Sequence, residues 1–449
     1  MDTDDSGHAT RRAALAAQLR ARGESGAAPL GLGKKSSNLF RDRQEVTKQR
    51  LDLGDFCHVL AIDRARGWVD VEGLTTYETL VAQTLAHGVM PAVVPQLKTI
   101  TVGGAAAGVG IEATSHRWGL VHDTLLEFDV LLPDGTTVNC RPDNAQRDLF
   151  FGFPNSYGTL GYALRLRLRT LPVKPFVKVA HVPYTDPVAF FGALDASCQR
   201  EADFVDGVVF GQRQQVLNTA CFVDEAPWLS DYSYQHIYYR SLLDKPVDYL
   251  RVQDYLWRWD TDWFWCSKNV YAQNPLVRRL LGPSRLNSRT YTRIMRWNAR
   301  WGVTRRLARL RGLHTESVIQ DVDIPVAQAQ RFLTFLLREI GILPIWVCPV
   351  RAPQAPFTLY PLTAGTRYVN FGFWDVVQSR QPHESGHFNR LVEREVMRLG
   401  GIKSLYSDSY FTPEEFAKAY AMDQYQGLKA KYDPAGRMLG LYEKCVLRA

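Results

Sequence analysis

One glycine-rich segment, TITVGGAAAGVGIE at 99–112, constrains this chain more than any other stretch. Glycines 103, 104, 108 and 110 have no Cβ, so the backbone can approach a ligand closely and offer N–H donors to an anion such as a diphosphate. From Gly104 to Gly110 the order is GxxxGxG. That is not the nicotinamide fingerprint GxGxxG, and no βαβ unit with an acidic residue about 20 positions on follows it. The phosphate loop GxxxxGK[ST] is absent as well. A glycine run can equally serve tight helix–strand packing, so its neighbours matter. The segment GLGKKSSN at 31–38 joins a flexible backbone to two ammonium groups and hydroxyls, which is anion-binding chemistry or a plain surface turn. A third, PNSYGTLG at 154–161, leads into a strand at Ala163. Three such loops within about 130 residues, each beside a short strand, argue for one extended dinucleotide-like ligand better than any one alone.

The rest of the chain is organised around them. At 449 residues with 46% hydrophobic content it can bury a large core, as two or three domains or one composite fold. Residues 59–62 and 67–71 read as strands, 77–87 as a helix, and 126–132 with 136–140 as a hairpin around Pro133-Asp134-Gly135. Residues 163–169 alternate apolar side chains with arginine, the pattern of a half-buried strand. After 172–175 the character changes. Residues 176–224 and 316–376 each read strand–helix–strand–strand, which predicts one antiparallel sheet with helices on one face. Between them, 225–315 is rich in Trp, Tyr and Arg and reads as a helical insertion; from 384 onward the chain is helical again.

No apolar run approaches the roughly 20 residues that span a bilayer, and the acidic start MDTDDSGHAT argues against a secretory signal. The seven cysteines are scattered and never spaced CxxC, as expected of reduced thiols in a cytoplasmic protein. Net charge is +8, modest for the length, and does not imply nucleic acid. Residues 293–314 concentrate it, with seven arginines, no acid, and Trp297, Trp301, Leu307 and Leu310 interleaved. Such a stretch suits an interfacial helix on anionic lipid; a solvated helix or a subunit contact is the alternative. GxSxG, HExxH and paired-cysteine metal patterns are missing, and no metal site is expected.

Taken together, residues 29–173 resemble the FAD-binding module of the vanillyl-alcohol oxidase and p-cresol methylhydroxylase (PCMH) flavoproteins. GLGKKSSN matches that family's diphosphate turn, the stretch 71–96 its helix and entry into the second loop, TVGGAAAGVGIE its flavin loop, and YGTLGY (157–162) the segment at the ring edge. Within that group, segments 94–120, 148–162, 264–282, 318–325, 343–349 and 404–416 resemble Δ24-sterol reductases and bacterial reductases of methylene-branched fatty acyl chains. The resemblance implies an α+β fold. Its parts are an N-terminal helix and linker (1–28), a two-subdomain PCMH-type FAD domain (29–173), an antiparallel-sheet cap domain (174–383) carrying the insertion 225–315, and a C-terminal helical segment (384–449) returning to the FAD domain. FAD would be held by Gly31, Gly33, Lys34, Lys35, Ser36, Ser37, Asn38, Gln96, Leu97, Thr101, Gly103, Gly104, Ala105, Gly108, Gly110, Ile111, Gly158, Thr159 and Gly161. The first loop lacks the histidine that tethers flavin covalently in many members, so noncovalent FAD is expected, with NADPH as donor.

The reaction this implies is reduction of an isolated carbon–carbon double bond in a lipid tail. Hydride must meet a carbon made electron-poor by proton donation to its neighbour, so the site needs a general acid, a dry apolar slot and aromatic faces. Glu112, His116, Asp321, Asp408 and Tyr410 are the candidate acids, and Trp257, Trp259, Trp263, Phe264 and Trp265 the candidate slot. The membrane anchor with which the eukaryotic sterol enzymes of that group begin is not expected here, which favours a methylene-branched acyl chain of a phospholipid, with a lipid methyltransferase as a candidate partner. A sterol Δ24-type reductase, a flavin oxidase or desaturase, and a lipid-binding protein that keeps the fold are the alternatives. The expected location is the cytoplasm, peripherally on the inner face of the membrane, with no nucleic-acid partner.

Overall fold

The computed structural model describes residues 5–21, 28–33, 40–41, 44 and 46–449. The fold is α+β, with most strands in two sheets. Strands β1 (Leu30–Gly33) and β2 (Gln49–Asp52) pair in parallel as a small separate ribbon. The first main sheet holds β3 (Val59–Asp63), β4 (Trp68–Glu72), β5 (Val89–Pro91), β6 (Leu125–Leu131), β7 (Thr137–Cys140) and β8 (Tyr162–Pro172), in the order β3-β4-β8-β6-β7 with β5 also on β8. The eleven-residue β8 is its spine because its alternation serves two faces. Leu164, Leu166 and Leu168 are buried, while Arg165 is braced on the other face by Asp70, Glu127 and Asp129 at 3.2, 2.8 and 2.9 Å.

The second sheet has eight strands: β9 (Phe176–Tyr184), β10 (Phe204–Gly211), β11 (Gln214–Val223), β12 (Val247–Arg251), β13 (His314–Pro325), β14 (Ile345–Arg351), β15 (Arg367–Ser379) and β16 (Ile402–Lys403). Its order is β12-β9-β11-β10-β14-β15-β13-β16, so the two strand–helix–strand–strand units meet back to back where β10 pairs β14. The helices Pro187–Ser197 and Ala329–Phe335 cover one face, burying Phe190, Leu194, Phe332 and Leu333 against Val205, Val322 and Phe371. The opposite face joins the core of the first sheet. The stretch 225–315 is not wholly helical: β12 sits inside it and extends the sheet at β9, its buried Asp248 held by the Ser230 hydroxyl at 2.5 Å and by Tyr232. Alternation in Val247–Arg251 (VDYLR) is the strand signal that the Trp- and Arg-rich composition masks.

After residue 384 the chain forms the helices His387–Arg398, Pro413–Ala419, Met422–Tyr432 and Leu441–Cys445. The short β16 pairs with β13, which brings residues 404–406 against the strand carrying Asp321. Helix Met422–Tyr432 packs on the first domain, where Gly152 leaves room for Leu428 and the Tyr432 hydroxyl donates to Asp148 at 2.6 Å.

Candidate active site

A cavity of about 970 Å³ runs between the two sheets, at the upper end of the range for small-molecule sites. One wall is the six-residue helix Val102–Ala107, capped by the Thr101 hydroxyl, which accepts from Gly104 N at 3.3 Å. Its glycines divide the two roles that the sequence leaves open. Gly103 N donates to Gly73 O at 2.8 Å, and a Cβ on Gly103 would lie 2.8 Å from that oxygen; Gly110 is likewise closed by Val121 at 2.6 Å. These two lack room for a Cβ because of packing, and both also line the cavity. A Cβ on Gly104 would meet only the Thr101 hydroxyl, at 2.8 Å, and otherwise enters the cavity. Gly31, Gln96, Leu97, Thr101, Ala105, Gly108 and Ile111 also line the wall, as do Gly158 and Gly161, whose φ of +70° and +139° suit glycine. Gly33 and Thr159 do not: Gly33 ends β1, and the Thr159 hydroxyl turns back to Ser156 O at 2.8 Å. Lys34, Lys35, Ser36, Ser37 and Asn38 lie outside the described residues.

The opposite wall comes from β13, β14, β15 and the turn after β16. Asp321 is the one carboxyl side chain on the cavity among the described residues. It pairs across the sheet with Gly372, where a Cβ would come within 2.7 Å of Asp321 Oδ1. Desolvation pushes its pKa well above the usual carboxylate range and so favours the protonated form, with a hydrogen bond from Tyr406 working against that shift. Trp374 Nε1 donates to the Tyr406 oxygen at 2.8 Å, leaving the Tyr406 hydrogen for Asp321. Asp321 Oδ1 itself has no hydrogen-bond partner among the described residues.

Of the aromatic cluster, Trp263 and Phe264 line the cavity, both with positive φ (42° and 59°), a conformation that bulky residues rarely hold without a compensating fit. Phe264 lies 4.5 Å from the Trp374 ring and 5.7 Å from Trp346, and Phe40 lies 5.5 Å from Trp263, so five rings form an aromatic box. Trp257, Trp259 and Trp265 stand behind it. Trp259 stacks under Phe264 at 4.7 Å, Trp265 packs on Trp374 at 5.6 Å, and Trp257 takes the Lys98 ammonium over its ring.

The other four candidate acids lie off the cavity wall, each for a local reason. Glu112 is buried in a charged cluster: its Oε1 accepts from Arg258 at 2.8 Å, Arg258 also reaches Asp206 at 2.8 Å, and Oε2 takes the Gln96 amide. Burial raises its pKa to about 7 against the pull of Arg258. Its effect on the cavity passes through Gln96, whose Oε1 is left buried without a partner among the described residues. His116 has its ring nitrogens 2.9 Å from Ala113 O and 3.1 Å from Ala202 O, so the neutral ring donates to one of them, and burial lowers its pKa to about 4. Asp408 faces Arg448 at 3.5 Å, and the Tyr410 ring lies between Arg390 and Arg448.

Arg41, Tyr157, Asn370, Trp374 and Tyr406 are wall residues that the sequence reading did not select. Arg41 is buried, stands 5.0 Å over the Tyr157 ring, and has Nη1 unpartnered among the described residues, a ready donor for a phosphate or ring carbonyl. A glycine cradle opening at Gly104, a buried free guanidinium nitrogen and a buried amide oxygen at Gln96 together fit a large ligand with an anionic and a heteroaromatic part.

Residues 8–141 match the family model described as FAD binding domain. The chain carries an FAD-binding domain. It is 28% identical over 409 residues to a Delta(24)-sterol reductase of Homo sapiens, covering 86% of this chain and 75% of that protein. It is 25% identical over 459 residues to the Delta(24)-sterol reductase of Pisum sativum, covering 90% and 77%. A likeness to cytokinin dehydrogenase 7 of Oryza sativa subsp. japonica, 29% over 150 residues, reaches only 32% of this chain. The chain is thus a flavoprotein by its FAD-binding domain, and its fuller resemblance is to sterol reductases. No described helix is long and apolar enough to cross a membrane.

Proposed function

We propose that this flavoprotein reduces a carbon–carbon double bond in the tail of a lipid, with noncovalent FAD and with NADPH as the donor. The observation that carries the reading is Asp321: the one carboxyl side chain among the described residues that lines the cavity with the aromatic box, its pKa raised by desolvation. The reduced cofactor supplies the hydride when bound. Gly104, Gly108, Arg41 and Gln96 would hold it, the first two by leaving the backbone open and the others by donating and accepting hydrogen bonds. Asp321 delivers its carboxyl proton to one alkene carbon, and positive charge develops on its neighbour. Trp374, Phe264, Trp346 and Trp263 present ring faces that stabilise such a charge and exclude water that would capture it. Tyr406, fixed by Trp374, stabilises the carboxylate left behind.

That chemistry favours a trisubstituted alkene, in which protonation leaves the charge on a tertiary carbon. Similarity to sterol reductases over 86% and 90% of the chain favours a sterol-type side chain over a methylene-branched acyl chain. The oxidative direction is less favoured, because the likeness to a dehydrogenase covers only 32% of this chain. The test is product analysis with both lipids. Holoenzyme, NADPH and a sterol carrying a trisubstituted side-chain alkene should yield a product heavier by two hydrogens. Conversion of a methylene-branched phospholipid alone would move the substrate to the acyl class, and conversion of neither would refute the reading.

A further inference from the structure

From Trp263 to Thr315 the chain contains no aspartate or glutamate, but eleven arginines and one lysine. This segment also carries seven of the fourteen large hydrophobic side chains that stand exposed among the described residues. Single exposed hydrophobics are ordinary, but half of them in about an eighth of the chain, on an acid-free background, are not.

The segment is anchored on the cavity from within. Arg278 is buried and bonds Asp262 at 2.6 and 2.9 Å, and the buried Tyr291 hydroxyl donates to Thr261 O at 2.7 Å. Helix Ser288–Trp301 has three sectors. Tyr291 and Met295, four apart, face inward, and Met295 lines the cavity. Ile294, Trp297 and Trp301, at spacings of three and four, form an exposed stripe, with Trp297 56% exposed. Arg293 and Arg296 flank it. After Gly302, whose left-handed φ of 59° lets the chain turn, helix Val303–Leu310 continues with exposed Arg306, Arg309 and Leu310. Aromatic and aliphatic tips beside long cationic stems match the interface of an anionic bilayer, where the tips enter the acyl boundary and the guanidinium groups meet phosphates.

We propose that residues 271–311 form a docking face for an anionic lipid bilayer, set so that the cavity opens beside the membrane through the helix whose inner side carries Met295. The proposal rests on the lipid-reductase reading above and adds where the substrate enters. The electrostatic part is worked from the arginines: reversing Arg293, Arg306, Arg309 and Arg311 to Glu should weaken binding to anionic vesicles at least about a hundredfold.

The experiment is co-sedimentation of holoenzyme at low salt with vesicles of phosphatidylcholine alone or with one third phosphatidylglycerol. Wild type should bind the anionic vesicles only and be released by salt; the fourfold variant should not bind them. Trp297→Ser should weaken binding with no change of charge. Flavin content and bleaching by NADPH should match wild type in both variants, which shows them folded. Turnover of membrane-embedded substrate should fall while that of detergent-dispersed substrate is kept. Unchanged vesicle binding in the fourfold variant overturns the proposal, as does equal binding to neutral vesicles. So does wild type that self-associates and ignores vesicles, which would make the face a subunit contact. Absence of turnover with dispersed substrate, vesicle binding being as stated, would instead refute the reductase reading.

Discussion

Asp321→Asn removes the ionisable proton while changing almost no volume, and its effects can be worked out for both rate and stability. In the wild type desolvation in the fold raises the carboxyl's pKa well above the usual carboxylate range, whereas in the unfolded chain it ionises near pH 4. Folding therefore takes up a proton at this site above that pH. The sign follows: a carboxyl with a raised folded pKa contributes its full stability below the unfolded value and loses it as pH rises. Asn carries no such dependence. The stability gap in favour of Asp321→Asn should thus widen by about 1.4 kcal/mol per pH unit from roughly pH 4 upward, until the folded carboxyl itself ionises. The amide can still accept from Tyr406, so the fold and flavin site should persist. Catalysis should suffer in the opposite sense. Loss of a positioned proton donor costs typically 10²–10⁴ in rate, about 3–5 kcal/mol of barrier. The assays are urea unfolding of the apoprotein at several pH values and single-turnover product formation by pre-reduced enzyme. A variant within about threefold of wild-type rate, or a stability gap flat in pH, would refute the assignment of Asp321 as a protonated acid.

Three further outcomes follow from other parts of the structure. Gly104→Val should fold, losing no more than about 1 kcal/mol through the Thr101 cap, yet purify without flavin, because the added side chain enters the cavity; normal flavin content would place the cofactor elsewhere. Acid precipitation of wild type should release all FAD into the supernatant, and yellow colour left in the pellet would contradict noncovalent binding. At Glu72 burial opposes ionisation, but hydrogen bonds from His8, His58 and Arg11 outweigh it and hold the pKa at about 2. Stability from this group is present above pH 4.5 and lost as pH falls toward 2, a swing of about 3 kcal/mol that Glu72→Gln should abolish in acid unfolding curves.

The legible parts of the fold are those governed by local chemistry. Glycine spacing marks the cradle, the Pro133-Asp134-Gly135 turn separates β6 from β7, and alternation marks β8 and β13. Asp321, Trp263 and Phe264 were identifiable from their segments. The remaining candidate acids went astray because contacts distant in sequence decide them. Arg258 captures Glu112 from 146 positions away, and Ala202 O captures one His116 nitrogen from 86. Tyr406, Asp408 and Tyr410 look equivalent in SLYSDSY, two apart as on one face of a strand. The chain turns at Leu405 and Tyr406 instead, so only Tyr406 meets the cavity. No sequence signal pairs it with Trp374; the register of β13 with β15 and β16 does.

The most direct test of the central claim is anaerobic stopped-flow absorbance of the holoenzyme. NADPH should bleach the flavin band, and mixing the reduced enzyme with the sterol alkene should restore it in one turnover, in step with formation of the saturated product. Restoration should be slowed 10²–10⁴-fold in Asp321→Asn while bleaching is unaffected. A flavin that reduced enzyme and alkene leave bleached, and that only oxygen or another acceptor restores, would contradict the account.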